Sequence, residues 1–171
     1  MADQGKLSGI GKAAKKALVG AIEGVGDTAE AAVHATRDVL LSALEGASDV
    51  SVAAVGAVSK VVRGSIYAIA DTGADVGMVA RSAVRGSVKA AAETGADVGK
   101  VAVEATRAAI RAAEEVGADA GEAMEHAVLG AIEAAEEIGT DTADAVRNVL
   151  SESIDGAKDV IEKPFERKAK T

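Results

Sequence analysis

The sequence contains no cysteine and no tryptophan, and it has one proline, one tyrosine and one phenylalanine among 171 residues. Without cysteine, disulfide bonds and thiolate metal sites are excluded. Because aromatic rings are almost absent, the apolar side chains are mainly alanine and valine, which each remove little area from water when buried. A core made of such residues must be long and closely packed rather than thick.

The net charge of −8 argues against general nucleic-acid binding, which needs Lys and Arg to displace counterions from phosphates. No basic region followed by a short apolar segment opens the chain, so we expect no secretory signal. Residues 51–70 have the length of a membrane span, but Lys60 and Arg63 lie near the middle, where each costs about 2.5–3.5 kcal/mol. We therefore reject a transmembrane helix. We expect a cytoplasmic protein, or one peripheral to a membrane or granule surface.

A short motif, Gly-Ala-Asp or Gly-Thr-Asp, returns every 22 residues from residue 73 onward. Cutting the sequence at this period gives seven blocks without insertion or deletion, which is typical of a repeat architecture. We predict an N-terminal tail over 1–6 and a basic C-terminal tail over 161–171, with the last helix ended by Pro164. The motif begins at Gly73, Gly95, Gly117 and Gly139, and the seven blocks are 7–28, 29–50, 51–72, 73–94, 95–116, 117–138 and 139–160.

The distribution of charge within the blocks predicts helices. Eleven residues make three helical turns, so each block wraps into six turns of a nearly straight helix. On that wheel, every Asp, Glu, Lys and Arg of the seven blocks falls on one side, and the other side, more than half of the circumference, carries none. An uncharged face this wide needs two or more neighbouring helices to cover it. We predict an all-α fold of long amphipathic helices, packed as an Ala/Gly-rich helical bundle or helical assembly.

Two arrangements of these helices remain open. The apolar stripe keeps its helical phase through the motif over 116–128, and a helix ending at Glu136–Glu137 would place carboxylates at its own negative end. Both observations favour long, nearly unbroken helices. Against this, glycine costs about 1 kcal/mol inside a helix, and Asp119 with Glu122 has the spacing of a helix-start capping pair. The alternative is therefore a set of 22-residue helices joined at the motif.

Small and bulky residues alternate along the uncharged face, and we predict that they form the helix-packing interface. Pairs of glycines four residues apart let helix backbones approach closely, and the bulky positions fill the opposing space. This predicts neighbours offset by about 11 residues, while the alternative makes the glycines simple turn residues. The interface residues are Gly73, Gly77, Gly95, Gly99, Gly117, Gly121, Ile66, Val88, Ile110, Ile132 and Ile154.

Residues suited to catalysis or metal binding do not form a convincing pattern. The histidines His34 and His126 each follow a glutamate by four residues, Glu30 and Glu122, which places each pair on one side of a helix. A solvated ion pair explains this spacing better than a metal site. We expect no cofactor, no metal site and no enzymatic activity.

Charge is unevenly distributed among the blocks. Block 117–138 has six acidic residues and no basic one, whereas 51–72 and 73–94 each have a net charge of +1. Offset antiparallel neighbours could match basic blocks to acidic ones and fix the register. The alternative is an ordinary solvated face.

The in-phase 11/22-residue pattern over 7–160 resembles the helical repeats of exchangeable apolipoproteins, synucleins and group 3 late-embryogenesis proteins. We predict a non-enzymatic structural protein that self-assembles through its small-residue face into a bundle, sheet or filament, with its own copies as partners and no nucleic acid. The alternative is an amphipathic-helix protein that coats a lipid, granule or membrane surface. Stress or ice protection and a metal-binding bundle are further alternatives.

Overall fold

The computed structural model describes residues 28–45 and 49–169, and this part of the chain is all α-helical, as predicted. The predicted tail 1–6 and the first repeat, apart from Thr28, lie outside the described residues. The helices are α1 (Thr28–Leu44), α2 (Val50–Ala70), α3 (Val76–Thr94), α4 (Val98–Glu115), α5 (Ala120–Ile138), α6 (Thr140–Ser153) and α7 (Ala157–Ala169).

Each 22-residue block from 29 to 138 forms one helix, and the chain turns at each Gly-Ala-Asp motif. The prediction of long unbroken helices is therefore wrong for this part of the chain. The motif's aspartate begins the next helix by accepting a hydrogen bond from a backbone N–H three residues on: Asp97 accepts from Lys100 at 3.0 Å and Asp119 from Glu122 at 3.0 Å. Such a cap satisfies an otherwise unpaired N–H of the first helical turn.

The motif's glycine ends the preceding helix. Gly73, Gly95 and Gly117 have φ values of 76°, 75° and 77°, a left-handed conformation that costs glycine little. After Gly95, the N–H of Ala96 donates back to the carbonyl of Ala91 at 3.0 Å, as in a Schellman helix end. Glycine at the end of one helix and aspartate at the start of the next thus make the break locally favourable.

The carboxylates at the end of α5, which argued for an unbroken helix, are neutralised by other helices. Glu137 pairs with Arg85 and Lys89 of α3, and Glu136 pairs with Arg147 of α6. These cations offset the repulsion between the carboxylates and the negative end of the α5 dipole. Because these partners lie on other helices, the helix period alone could not predict the break.

The helices stack in two layers. Each helix packs against the next helix and against the one after it, and in the described part of the chain no more distant helices touch. We call α1, α3, α5 and α7 the odd layer, and α2, α4 and α6 the even layer. A helix such as α3 therefore has four neighbours, α1, α2, α4 and α5, which explains the width of its uncharged face. This nearest-neighbour stacking is typical of helical repeat proteins.

The core runs between the two layers, and its largest fully buried side chains all belong to the predicted uncharged face. Helix α2 is long and apolar enough to cross a membrane by length and composition, but half of its apolar window is buried inside the protein, as in a core helix. The largest buried side chains are Leu40, Ile66, Ile69, Leu150, Val33, Val58, Val61, Val62, Val84, Val88 and Val101.

The C-terminal end departs from the repeat. Gly139 alone joins α5 to α6, with an extended backbone at φ 162° and ψ 162°, and α6 begins without a side-chain cap. After Ile154 a turn through Gly156, at φ 85°, leads into α7. Helix α7 continues through Pro164 to Ala169, so the prediction that Pro164 ends the helix is wrong. Because proline has no N–H, it leaves the carbonyl of Val160 without its usual intrahelical donor.

Candidate functional site

Charged side chains within each layer pair with the helix two positions further along the chain. In three of these pairs the acid lies 52 residues after the arginine, which is two blocks plus eight residues. Such a constant spacing requires the helices of one layer to run parallel, so the predicted match of basic to acidic blocks occurs between parallel rather than antiparallel neighbours. The pairs are Arg37–Glu93, Arg63–Glu115, Arg81–Glu133, Arg85–Glu137 and Lys89–Glu137.

The pair between α1 and α3 has bidentate geometry. Arg37 Nε donates to Glu93 Oε1 at 2.6 Å, and Nη2 of Arg37 donates to Oε2 at 2.8 Å. Two parallel hydrogen bonds fix both the distance and the orientation of the two planar groups. In the even layer, Arg63 donates to Glu115 at 3.0 Å and to the Tyr67 hydroxyl at 3.0 Å.

The pairs between α3 and α5 line a groove on the surface of the protein. The groove has a volume of about 640 Å³ and lies on the odd layer over α3. Arg81 pairs with Glu133, and Arg85 with Glu137, whose second oxygen also accepts from Lys89 Nζ at 2.9 Å. The groove is lined by Val33, Met78, Arg81, Ser82, Arg85, Glu133, Glu136 and Glu137.

The pairing changes the proton affinity of several groups. The hydrogen bond from Arg37 holds the pKa of Glu93 below its ordinary value of 4.5, and Lys89, followed by Arg85, lowers the pKa of Glu137. Burial, reinforced by the nearby charge of Arg85, lowers the pKa of Arg81. Each group whose pKa is changed lies at a contact between helices two positions apart, so the changes in pKa result from helix packing.

The glycines predicted as packing contacts have different positions in the structure. Gly73, Gly95 and Gly117 lie in turns, and no atom comes within 4 Å of where a Cβ would stand. Their role as contact points is therefore not supported, and the alternative, a turn role, describes them. They recur every 22 residues because each of these blocks follows the same kind of helix end.

The remaining three glycines of the predicted interface begin helices. A Cβ at Gly77 would lie 2.7 Å from Cδ2 of His126, so this glycine makes room for the imidazole of α5. A Cβ at Gly99 would make ordinary contact with Val149 at 3.6 Å, and one at Gly121 would approach Asp119 alone. The nearest side chains to these three glycines are therefore not the bulky residues predicted to insert there.

The bulky residues of the predicted interface lie in the core of this one chain. Ile66 and Val88 are completely buried, Ile132 and Ile154 are nearly so, and Ile110 is partly buried against the core. Ile110 and Ile154 also line a smaller groove of about 390 Å³ between α4, the start of α5 and the turn after α6. Helices of the same chain therefore cover the small-residue face.

Two glycines that the sequence analysis missed make the closest helix contacts. A Cβ at Gly86 would lie 2.5 Å from the carbonyl oxygen of Val33, and a Cβ at Gly130 would collide with the backbone carbonyl of Arg81. Both positions fall on the charged side of the repeat, where glycine also occurs at Gly64. The recurrence of glycine at one repeat position on the charged face was the sequence signal that could have predicted these close contacts.

Three buried hydroxyls and His126 make contacts that belong to helix structure and packing. The buried hydroxyls of Thr36, Ser65 and Thr106 donate to carbonyls four residues earlier in their own helices. The His126 ring packs on Gly77, and its Nε2 lies 3.9 Å from Glu122 Oε1. In the described ranges, no three His, Asp or Glu side chains come together as a metal site would require.

The fold and the groove define an all-α helical repeat protein in which charged pairs set the register between helices two apart. Comparison with protein-family models, with curated proteins and with solved structures finds no match to this chain.

Proposed function

We propose that this chain is a non-enzymatic structural protein that assembles with copies of itself. The observation that carries the proposal is the charge segregation between α3 and α5. Three basic residues of α3 pair with α5, which has acidic residues and no Lys or Arg. A helix surface that recognises one other helix by charge and register can do so between copies as well as within one.

The unit of assembly is the folded bundle. Because each helix covers the uncharged faces of its neighbours, that face is not available to other copies while the chain is closed. Assembly into larger bodies then uses the outer surfaces or an exchange of helices between chains. Such an assembly of folded chains differs from one in which each helix folds only on contact with other copies.

A dilution series tests the proposal by measuring mass and helicity together. Sedimentation velocity should give a mass above the 16.9 kDa of one chain as the concentration rises. Far-ultraviolet circular dichroism should stay constant on dilution, since the intramolecular contacts maintain the helices. A mass that stays at 16.9 kDa from micromolar to millimolar concentration would contradict self-assembly.

The second candidate function is a coat on a lipid, granule or membrane surface. It is supported by the small size of the core side chains, mainly Ala and Val, which each contribute little burial energy. Helices held by such a core can exchange their protein neighbours for an apolar surface at low cost, and α2 is the most apolar of them.

Flotation with phosphatidylcholine vesicles tests this alternative. The coat predicts that the protein rises with the vesicles and that replacing the buried Val58 of α2 with Asp weakens both folding and partition. The matched change at the exposed Val52, which lies on the same helix, should leave folding intact. Protein that stays entirely in the dense fraction excludes a lipid coat.

A further inference from the structure

We propose that copies of this chain associate by exchanging their last three helices, so that α5–α7 of one copy dock on α3 and α4 of another. In the exchanged form, the turn between α4 and α5 opens and the two helices join into one. This inference rests on the proposed function, because it names the partner and the surface by which the copies assemble.

The surface between α3 and α5 has the charge pattern needed for recognition. It is the most extensive helix contact in the described part of the chain. Arg81, Arg85 and Lys89 of α3 meet Glu133 and Glu137 of α5. Because α5 has no Lys or Arg, it cannot form these pairs with another α5. Its complement is an α3, whether of its own chain or of a second copy.

The same surface also has a shape that fixes one register. Gly130 of α5 lies against the backbone of Arg81, where a Cβ would be 3.1 Å from the Arg81 carbonyl carbon. Arg85 and Glu137 pair at one end of this contact, and the His126 ring packs on Gly77 at the other. A second copy that supplies α5 must therefore dock in the register seen within the chain, and the contacts of α5 with α3 and α4 are recovered.

The connection between α4 and α5 is suited to opening. It consists of residues 116–119, with Gly117 in the left-handed region and Asp119 capping α5. The uncharged stripe keeps its helical phase across this segment, although a turn does not require it. If the turn adopts helical dihedrals, α4 and α5 form one helix from 98 to 138, about 60 Å long, with an unbroken apolar face.

An open chain needs a partner because opening exposes the core. Val84 and Val88 of α3 and Ala109 of α4 are fully buried in the closed form. Removing α5 exposes parts of this surface to water, which is unfavourable. A second open copy presents the matching α5 and covers it, and the exchange is mutual. Exchange of identical elements between subunits is a low-cost route to dimers.

Two substitutions at the same turn shift the equilibrium in opposite directions. Ala120→Pro places proline at the first residue of α5, where it is favoured, after an Asp119 whose φ of −71° and ψ of 109° suit the position before proline. In a continuous helix the same proline would lie in the interior and be excluded. Gly117→Ala meets no atom within 4 Å, but it strains the left-handed turn and so favours the joined helix.

Sedimentation equilibrium on the full chain gives the readout. We expect Gly117→Ala to tighten dimerisation by about tenfold or more, as a left-handed alanine costs roughly 1–2 kcal/mol. We expect Ala120→Pro to give a folded monomer at all concentrations. If the wild type assembles and Ala120→Pro assembles equally well, exchange at this turn is wrong and the proposed function survives. If the wild type remains monomeric throughout, the proposed function itself fails.

A charge-reversed pair gives an independent test. One chain carries Arg81→Glu and Arg85→Glu, and a second chain carries Glu133→Arg and Glu137→Arg. In each chain the α3–α5 contact then joins groups of like charge and becomes repulsive. Refolded together from urea, the two chains should form a 1:1 heterodimer detected by native mass spectrometry, because α5 of each then meets an α3 of opposite charge. A mixture that yields only separate chains overturns the exchange. Adding Ala120→Pro to both chains should abolish the heterodimer.

Discussion

At the scale of single residues, glycine has two different roles in this chain. At Gly117 it supplies a left-handed turn with no neighbour near its missing side chain, whereas at Gly130 it lets two helix backbones touch. The first role depends on local dihedral angles, and the second on a helix two blocks away. Substitution therefore affects turn strain at one position and helix spacing at the other.

Gly130→Ala should destabilise the protein. Its new methyl group would overlap the Arg81 carbonyl, with the carbonyl carbon at 3.1 Å and Cα at 3.2 Å, and a helix backbone cannot move away cheaply. We expect a loss of about 1–3 kcal/mol in the free energy of unfolding, measured by urea denaturation. Gly56→Ala is the matched control, because nothing lies within 4 Å of its Cβ. This control should gain about 0.5–1 kcal/mol, and equal effects of the two changes would refute the close contact.

At the scale of the helices, each 22-residue repeat forms one helix together with the residues that begin and end it. The aspartate of each Gly-Ala-Asp motif caps the following helix, and the glycine closes the preceding one. The 14-residue helix α6 shows what happens when this arrangement changes, since it begins after Gly139 without a side-chain cap. The motif thus explains where each helix stops, and the uncharged face explains why it packs.

Asp97→Ala should weaken the start of α4. It removes the acceptor for the Lys100 N–H, now 3.0 Å away, and we expect a loss of about 0.5–2 kcal/mol in urea denaturation. Asp97→Ser keeps an oxygen at the cap and should retain most of the stability. Hydrogen exchange should speed up locally at residues 98–101 in the alanine variant. Unchanged exchange there, with unchanged stability, would show that the cap contributes nothing.

At the scale of the whole molecule, charge holds the layers in register and makes stability depend on pH. The pKa of Glu93 and of Glu137 is lower in the folded protein than the ordinary 4.5, because of Arg37 and of Lys89, respectively. The unfolded chain therefore binds more protons than the folded one in this range. The stabilisation is fully present above pH 4.5, and it is lost as the pH falls through the lower folded-state pKa.

We expect the contribution of Glu93 and Glu137 to the free energy of unfolding to be constant from neutral pH down to about 5. It should fall on further acidification. Glu137→Gln should be less stable than the wild type at neutral pH and should lose less on acidification, since it has no carboxylate to protonate. Urea denaturation at a series of pH values measures both curves. Parallel curves for the two proteins would contradict a role for Glu137 in acid sensitivity.

Much of the architecture could be predicted from the residues because it depends on local geometry. When the sequence is wrapped at 11 residues per three helical turns, all charge lies on one side. This predicted the helices, their buried face and the need for several neighbouring helices, and in the structure α3 has four. The candidate site could be predicted less well. The charge complement between blocks 73–94 and 117–138 was expected, but its parallel direction and its individual pairs were not. Pairing depends on which helices become neighbours, and composition does not specify that.

The sequence by itself determined the helical class, the 22-residue unit, the residues of the core and the absence of charge from it. Each follows from side-chain spacing along a single helix. The tertiary structure decided that the chain breaks after α5, because the carboxylates of Glu136 and Glu137 are tolerated at a helix end once Arg85, Lys89 and Arg147 reach them. It also decided that Gly130 is a contact and Gly117 a turn, since the free energy of each depends on atoms brought near by folding.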